Sequence, residues 1–210
     1  MIFRLDDRLL FPDPELAEPD GLLAIGGDLS AERLLLAYQS GIFPWYSDDT
    51  PILWYSPHER FVIFPPELII SKSMQKVLTP GRFTVTTNQC FEEVITNCSS
   101  IERPGQDGTW ITTEMKDAYI GLHQKGYAHS VEVWQEDVLA GGLYGIKTGN
   151  VFCGESMFSL VSNASKVALI YLCGMGFDLI DCQVYTPHLA SMGARMISRK
   201  EYMKFVNGEL

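Results

Sequence analysis

Apolar residues return every three or four positions in the middle of this chain, and the pattern then gives way to strand-like runs. Phe91, Val94, Ile95 and Cys98 mark one side of a helix opened by Asn88, and Met115, Ala118, Tyr119 and Leu122 form the stripe of a second that ends at Gly126. The loop ERPGQDG separates the two. HSVEVWQ, VLAGGLYGIK and VFCGESMFS then predict three strands joined at ED and TGN, whose residues suit hairpin turns. NASKVALIYLCGMG predicts a helix and FDLIDCQVY a strand. The last helix begins at SRKEYMKF, where Ser198 and Glu201 are spaced as a capping box. Ahead of these elements, SKSMQKVL predicts a short helix and FTVTT a strand.

The first 65 residues have a different texture. Prolines at 12, 14, 19, 44, 51, 57 and 65 interrupt them, and only SAERLLLAYQSG has helical character, with Ser30 as N-cap and Gly41 as the stop. ILWYS and RFVIF, both bounded by prolines, predict strands of a small sheet. Pro65-Pro66 is the best boundary, since neither residue has an amide hydrogen and Pro66 turns its predecessor away from helix. The expected organisation is a small N-terminal subdomain at 1–65 and a main domain at 66–210.

In the main domain the order is strand, two helices, three antiparallel strands, helix, strand, which predicts an α+β sheet. This order resembles the GNAT (acyl-CoA N-acyltransferase-like) fold, so a mixed sheet with flanking helices is expected. Many members of that fold grip the coenzyme A pyrophosphate with a glycine-rich turn at a helix N-terminus. Here the turn reads SLVSNASK. Without those glycines the phosphates lose their close backbone approach, which counts against an acyl-coenzyme A donor.

Composition narrows the classes further. The 210 residues are enough for a substantial core, and 46% hydrophobic residues is ordinary for a globular chain. No apolar run reaches the roughly 20 residues of a membrane span, and MIFRLDDRLLFPDPE lacks the pattern of a signal peptide, so the expected compartment is the cytoplasm. Five cysteines with no C-x-x-C pair read as reduced thiols, and the four histidines show no metal-ligand spacing, so neither metal nor cofactor is expected. A net charge of −10 opposes nucleic acid as a partner. The cations are uneven, however: Lys72, Lys76 and Arg82 lie close together, as do Arg195, Arg199, Lys200 and Lys204, leaving two candidate basic patches.

Candidate chemistry centres on two phrases. In LIDCQV, strand alternation would put Asp181 and Gln183 on one face and Cys182 on the other. Glu155 sits among Phe152, Cys153, Met157 and Phe158, where a carboxylate must be solvated, paired or used. As isolated features, these groups fit structural roles as well as catalytic ones.

Read together, EPDGLLAIGGDLS, YQSGIFPWYS, ILWYSP, GTWIT, HSVEVW, GGLYG, FCGESMFS, NASK and LIDCQV resemble the leucyl/phenylalanyl-tRNA–protein transferases, in order and over nearly the whole chain. The resemblance implies an aminoacyltransferase that moves leucine or phenylalanine from aminoacyl-tRNA to the α-amino group of proteins with N-terminal Arg or Lys, in the N-end rule pathway of degradation. It implies that Gln183 contacts the incoming amine, that Asp181 polarises it or receives its proton, and that Glu155 binds the acceptor's cationic N-terminal residue. Leu143, Phe152, Met157, Leu169, Leu172 and Ile180 occupy positions that line the donor side-chain pocket, which would admit Leu, Phe and Met. Two of them depart from the commoner form: GGLYG has Leu143 where methionine is frequent, and Leu172 replaces an aromatic. Trp45 and Trp110 would hold the terminal adenosine of the tRNA, with Lys72, Lys76 and Arg82 facing its body. Rival readings are a FemX-like transferase adding tRNA-borne amino acids to a cell-wall precursor, a coenzyme-A-dependent N-acetyltransferase, a thiol hydrolase built on Cys153 and His129, and a non-catalytic module that binds protein N-termini.

Overall fold

The structure is a computed structural model that describes residues 2–101 and 110–209. The loop ERPGQDG, at 102–108, lies outside the described residues. The chain opens with β1 (Phe3–Leu5), β2 (Leu22–Gly26), α1 (Ala31–Gln39), β3 (Phe43–Pro44) and β4 (Leu53–Tyr55), whose strands form a sheet in the order β1-β2-β4-β3. Ser30 caps α1 as its position predicts, accepting from the Arg33 amide at 3.4 Å. Gly41 ends the turn at φ +70°, a backbone conformation that costs glycine nothing.

The next strand is where the local reading fails. β5 (Glu59–Ile63), expected in the small sheet, lies instead between β10 (Leu179–Gln183) and β11 (Arg195–Ser198), antiparallel to both. The reason is its burial: Arg60, Phe61, Val62 and Ile63 are all inaccessible in succession. A strand hidden on both faces belongs in the interior of a covered sheet, which the small sheet does not supply. The chain therefore passes from one sheet to the other between Tyr55 and Glu59.

The larger sheet runs β11-β5-β10-β9-β8-β7-β6. Its remaining elements are α2 (Lys72–Val77), β6 (Thr84–Thr87), α3 (Phe91–Ser100), α4 (Thr113–Gln124), β7 (Ala128–Gln135), β8 (Val138–Thr148), β9 (Val151–Ser159), α5 (Ala164–Cys173), α6 (Pro187–Ser191) and α7 (Arg199–Val206). β9 and β10 pair in parallel, whereas the other neighbours of the sheet are antiparallel. The β9-α5-β10 crossover is what makes the sheet mixed. Apolar residues of α3 and α4, among them Phe91, Val94, Ile95, Met115 and Leu122, share one core with Tyr144 and Phe158. Val167, Ala168 and Leu172 of α5 share the other with Val131, Leu143 and Phe152. This is the α+β architecture expected, a mixed sheet with flanking helices.

Local chemistry explains most element ends. Glu136 and Asp137, at φ +50° and +64°, turn β7 into β8 in the conformation that matches strand twist. Ser198 caps α7 by accepting from the Glu201 amide at 3.2 Å. Asn88 does not cap α3; Cys90 holds that position without a side-chain bond. Asn88 instead adopts φ +59° and its Oδ1 accepts from the Ser130 amide at 3.0 Å, so tertiary pairing with β7 wins over the local helix-start role. β1, β2, β3, α6 and β11 were not expected from the sequence pattern.

Candidate active site

The pairing register creates the site. β10 follows β9 only through Leu179↔Val151, Ile180↔Phe152 and Asp181↔Cys153, after which β9 runs on beside β8 alone. Where the two strands part, a cavity of about 500 Å³ opens, walled by Gly154 to Met157 on one side and Asp181 to Val184 on the other. The six residues expected to form a donor side-chain pocket, Leu143, Phe152, Met157, Leu169, Leu172 and Ile180, all line it. Trp45 and Trp110 line it too, Trp45 being 39% exposed with its ring 6.0 Å from that of Tyr55.

Two β-bulges aim the polar groups. Across from β8, Tyr144 pairs with Ser156 and Gly145 with Gly154, which leaves Glu155 as the extra residue of β9. Gly145 is needed opposite the bulge, because a Cβ there would lie 2.2 Å from the Cys153 carbonyl oxygen. Across from β5, Asp181 pairs with Val62 and Gln183 with Phe61, leaving Cys182 as the extra residue of β10. Strict alternation therefore fails at LIDCQV: Gln183 takes φ +61°, and Cys182, expected on the opposite face, lines the cavity with Asp181 and Gln183.

Glu155 is buried at 8% exposure yet bonded on both oxygens. Gln183 Nε2 donates to Oε1 at 2.8 Å, and the Tyr119 hydroxyl donates to Oε2 at 3.2 Å. The Tyr38 hydroxyl bonds that of Tyr119 in turn. Burial pushes the Glu155 carboxyl up to about 7, against the lowering effect of the hydroxyl and amide bonds, and Asp181 adds to the rise. Near neutrality this group is divided between charged and uncharged forms.

Asp181 has a different environment. It is wholly buried, and its Oδ2 accepts from both Nε and Nη2 of Arg60 on β5. Its Oδ1 accepts from the Gln183 amide at 2.8 Å, which fixes the unusual backbone turn there. Burial opposes the Arg60 charge, but Asp181 together with Tyr202 and Cys153 outweighs it, so the guanidinium's proton affinity rises. The guanidinium also lies between the rings of Phe43 and Tyr202, 4.7 Å from each centroid. Asp181 is thus half of a buried ion pair as well as a wall of the cavity.

Other parts of the cavity were not anticipated. Pro44, Ser156, Thr186, His188 and Leu189 join its lining. Burial, assisted by Lys166, lowers the His188 pKa, which favours the neutral imidazole. A signal for Arg60 was available in the sequence: a cation set beside Phe61, Val62 and Ile63 in a strand must have a buried partner. Tyr38 and Tyr119 gave none, since each fits an apolar helical stripe. Cys153, offered in a rival reading as a nucleophile, is fully buried against the Tyr202 hydroxyl at 3.4 Å, and burial pushes its thiol up. His129 bonds the Asn88 side chain instead.

The two basic groups fare differently. Lys72, Lys76 and Arg82 are all exposed on α2 and the segment after it. The second group is split: Arg199 is buried, donating to the Ser56 carbonyl at 2.9 Å and pairing with Glu15, and Arg195 pairs with Glu67 and stacks over Phe64, while Lys200 and Lys204 stay exposed on α7.

Where β9 and β10 part in the mixed sheet, an apolar cavity thus ends on an amide and two carboxyl groups, a form suited to a small-molecule site with a few fixed polar groups. Comparison gives the particular kind. The sequence pattern of the leucyl/phenylalanyl-tRNA protein transferases matches residues 62–207, and that of their N-terminal domain matches residues 27–58, so the chain belongs to this family of aminoacyltransferases. A leucyl/phenylalanyl-tRNA–protein transferase of Flavobacterium johnsoniae is 57% identical over 99% of this chain and 100% of its own length. Another, from Syntrophobacter fumaroxidans, is 57% identical over 96% of this chain and 88% of its own. Among solved structures, a GCN5-related N-acetyltransferase from Kribbella flavida overlaps 76% of this chain and 58% of its own at 9% identity, with a TM-score of 0.38, too loose a fit to carry an argument. Among the described residues no helix is long and apolar enough to cross a membrane.

Proposed function

We propose that the chain moves leucine, phenylalanine or methionine from the 3′ ester of its tRNA to the α-amino group of proteins that begin with Arg or Lys, as a cytoplasmic step of the N-end rule. One observation carries the reading. The apolar side chains suited to such a donor, the two tryptophans suited to a terminal adenosine, and the Glu155–Gln183–Asp181 group all border one cavity.

In this reaction the amine nitrogen attacks the ester carbonyl carbon, an amide bond forms, the bond to the ribose oxygen breaks, and the amine's proton passes to that oxygen. Aminolysis of an ester runs downhill, so the enzyme has to supply position and charge stabilisation rather than energy. The apolar pocket takes the donor side chain, admits Leu, Phe and Met, and rejects polar ones because nothing there would repay their lost hydration. Trp45 and Trp110 stack on adenosine, a contact worth about 1 to 3 kcal/mol per base and indifferent to sequence, which suits an end shared by every tRNA. Gln183 is held by its backbone N–H, which donates to Asp181 Oδ1, and by its side-chain Nε2, which donates to Glu155, leaving its side-chain oxygen to accept from the attacking amine. Asp181 acts with it on the amine through the negative charge it holds beside Gln183. Glu155 holds the acceptor's cationic residue, and Lys72, Lys76 and Arg82 hold the tRNA body.

The N-terminus of α5 favours this donor over acyl-coenzyme A. The Ser159 hydroxyl accepts from the Ser165 amide at 3.3 Å, so that amide is already engaged where a pyrophosphate would need it. The test is incubation with radiolabelled Leu-tRNA and an Arg-starting peptide. Label should move to the peptide, and ribonuclease pretreatment should abolish the transfer. Transfer to a muropeptide in preference, or peptide binding without transfer, would refute the reading.

A further inference from the structure

Glu155 is reached from three other elements. Tyr119 of α4 donates to Oε2, Gln183 of β10 donates to Oε1, and Tyr38 of α1 stands behind Tyr119 with its hydroxyl on the same chain of bonds. The chain thus begins on a helix of the N-terminal part of the protein and ends at the cavity. Burial raises the proton affinity of both phenols far above the ordinary range, so each remains an O–H throughout the pH range in which Glu155 titrates. The other titratable groups around Glu155 are Asp181 of β10, whose charge Arg60 of β5 balances, Cys153 of β9, and Tyr144 of β8, whose ring lies 5.7 Å from that of Tyr119. Among the described residues no cation pairs with Glu155.

A carboxylate in that setting would shed its charge if its hydrogen bonds were removed, because burial alone favours the neutral acid. We propose that Tyr119, backed by Tyr38, is a positioning residue that keeps Glu155 ionised and aimed into the cavity, so that it can hold the cationic N-terminal residue of an acceptor. This rests on the acceptor reading of the proposed function. Its consequence is that acceptor affinity strengthens as Glu155 ionises, and that the tyrosine pair sets the pH at which this happens. Tyr38 makes α1 part of that control, although it lines no part of the cavity.

The experiment compares the wild type with Tyr119→Phe and Tyr38→Phe, each checked for folding by circular dichroism. The Glu155 carboxyl is followed by NMR in ¹³C-glutamate-labelled protein, assigned by its loss in Glu155→Gln, and acceptor KM and kcat are measured for an Arg-starting peptide from pH 6 to 9. In Tyr119→Phe the carboxyl midpoint should move up by about one pH unit, the amount that loss of a hydrogen bond to a charged group implies. Acceptor KM at pH 7 should rise severalfold, more than kcat changes, and recover toward pH 8.5. Tyr38→Phe should act in the same direction, and it carries the test if Tyr119→Phe does not fold. An unmoved midpoint in protein that transfers label overturns the tyrosine role alone. A moved midpoint in protein that transfers no label supports the tyrosine role and overturns the proposed function.

Discussion

Replacing Glu155 by Gln should stabilise the protein, and more so as the pH rises. Burial holds this carboxyl at about 7, against an ordinary value of 4.5. A group whose proton affinity rises on folding contributes stability that is fully present below its unfolded pKa and lost as the pH climbs through its folded one. For Glu155 that window runs from about 4.5 to about 7. Since one pH unit corresponds to about 1.4 kcal/mol, the wild type should lose about 2 to 3 kcal/mol between pH 5 and pH 8 from this group alone. Glutamine keeps the shape and an oxygen for Gln183, carries no charge to lose, and should escape that loss. The readout is the difference in unfolding free energy between Glu155→Gln and wild type, from urea denaturation at pH 5, 6, 7 and 8. Taking the difference cancels the titration of the other groups. It should grow by about 2 to 3 kcal/mol across the series, equivalent to roughly 5 to 10 °C in melting temperature for a chain of this size. A difference that stays flat would mean that Glu155 is ionised at little cost in the folded protein, and the reasoning from its burial would fail. The same variant should bind Arg- and Lys-starting acceptors less well, so the site holds a group that function needs and stability does not.

Arg60→Met should cost about 3 to 5 kcal/mol in urea denaturation by stranding Asp181 in the core, and adding Asp181→Leu should recover much of that loss; no recovery would show that the pair's burial is not what the arginine serves. Trp45→Ala and Trp110→Ala should each weaken use of aminoacyl-tRNA and of a small aminoacyl-adenosine mimic alike, by about 1 to 3 kcal/mol, and loss with tRNA alone would place the tryptophans outside the adenosine site. Lys72→Glu combined with Lys76→Glu should raise the KM for tRNA, flatten the salt dependence of its binding and spare the small mimic; equal effects on both donors would refute the basic patch.

Most helices and the strands β6 to β10 were legible in the sequence because their causes are local. A capping serine at 30 or 198, a stripe of Phe91, Val94, Ile95 and Cys98, and turn residues at 136–137 act within a few positions of themselves. Resemblance to a family also named the six apolar residues and two tryptophans that border the cavity. Local rules misled at Asn88 and at β5, where distant partners outweighed them: the amide of Ser130 claims Asn88, and burial on both faces draws β5 between β10 and β11. The arrangement of the polar groups was decided by tertiary structure alone. Which residue of β9 bulges depends on its pairing with β8, so the sequence shows a glutamate in a strand but not a glutamate bonded on both oxygens and turned to a cavity. Arg60 and Asp181 are 121 positions apart, and Tyr38 and Tyr119 are 81 apart. No periodicity couples such residues. They meet because the sheet brings β5 beside β10 and the packing of α1 and α4 brings two phenols together, and burial then fixes what each charge can do.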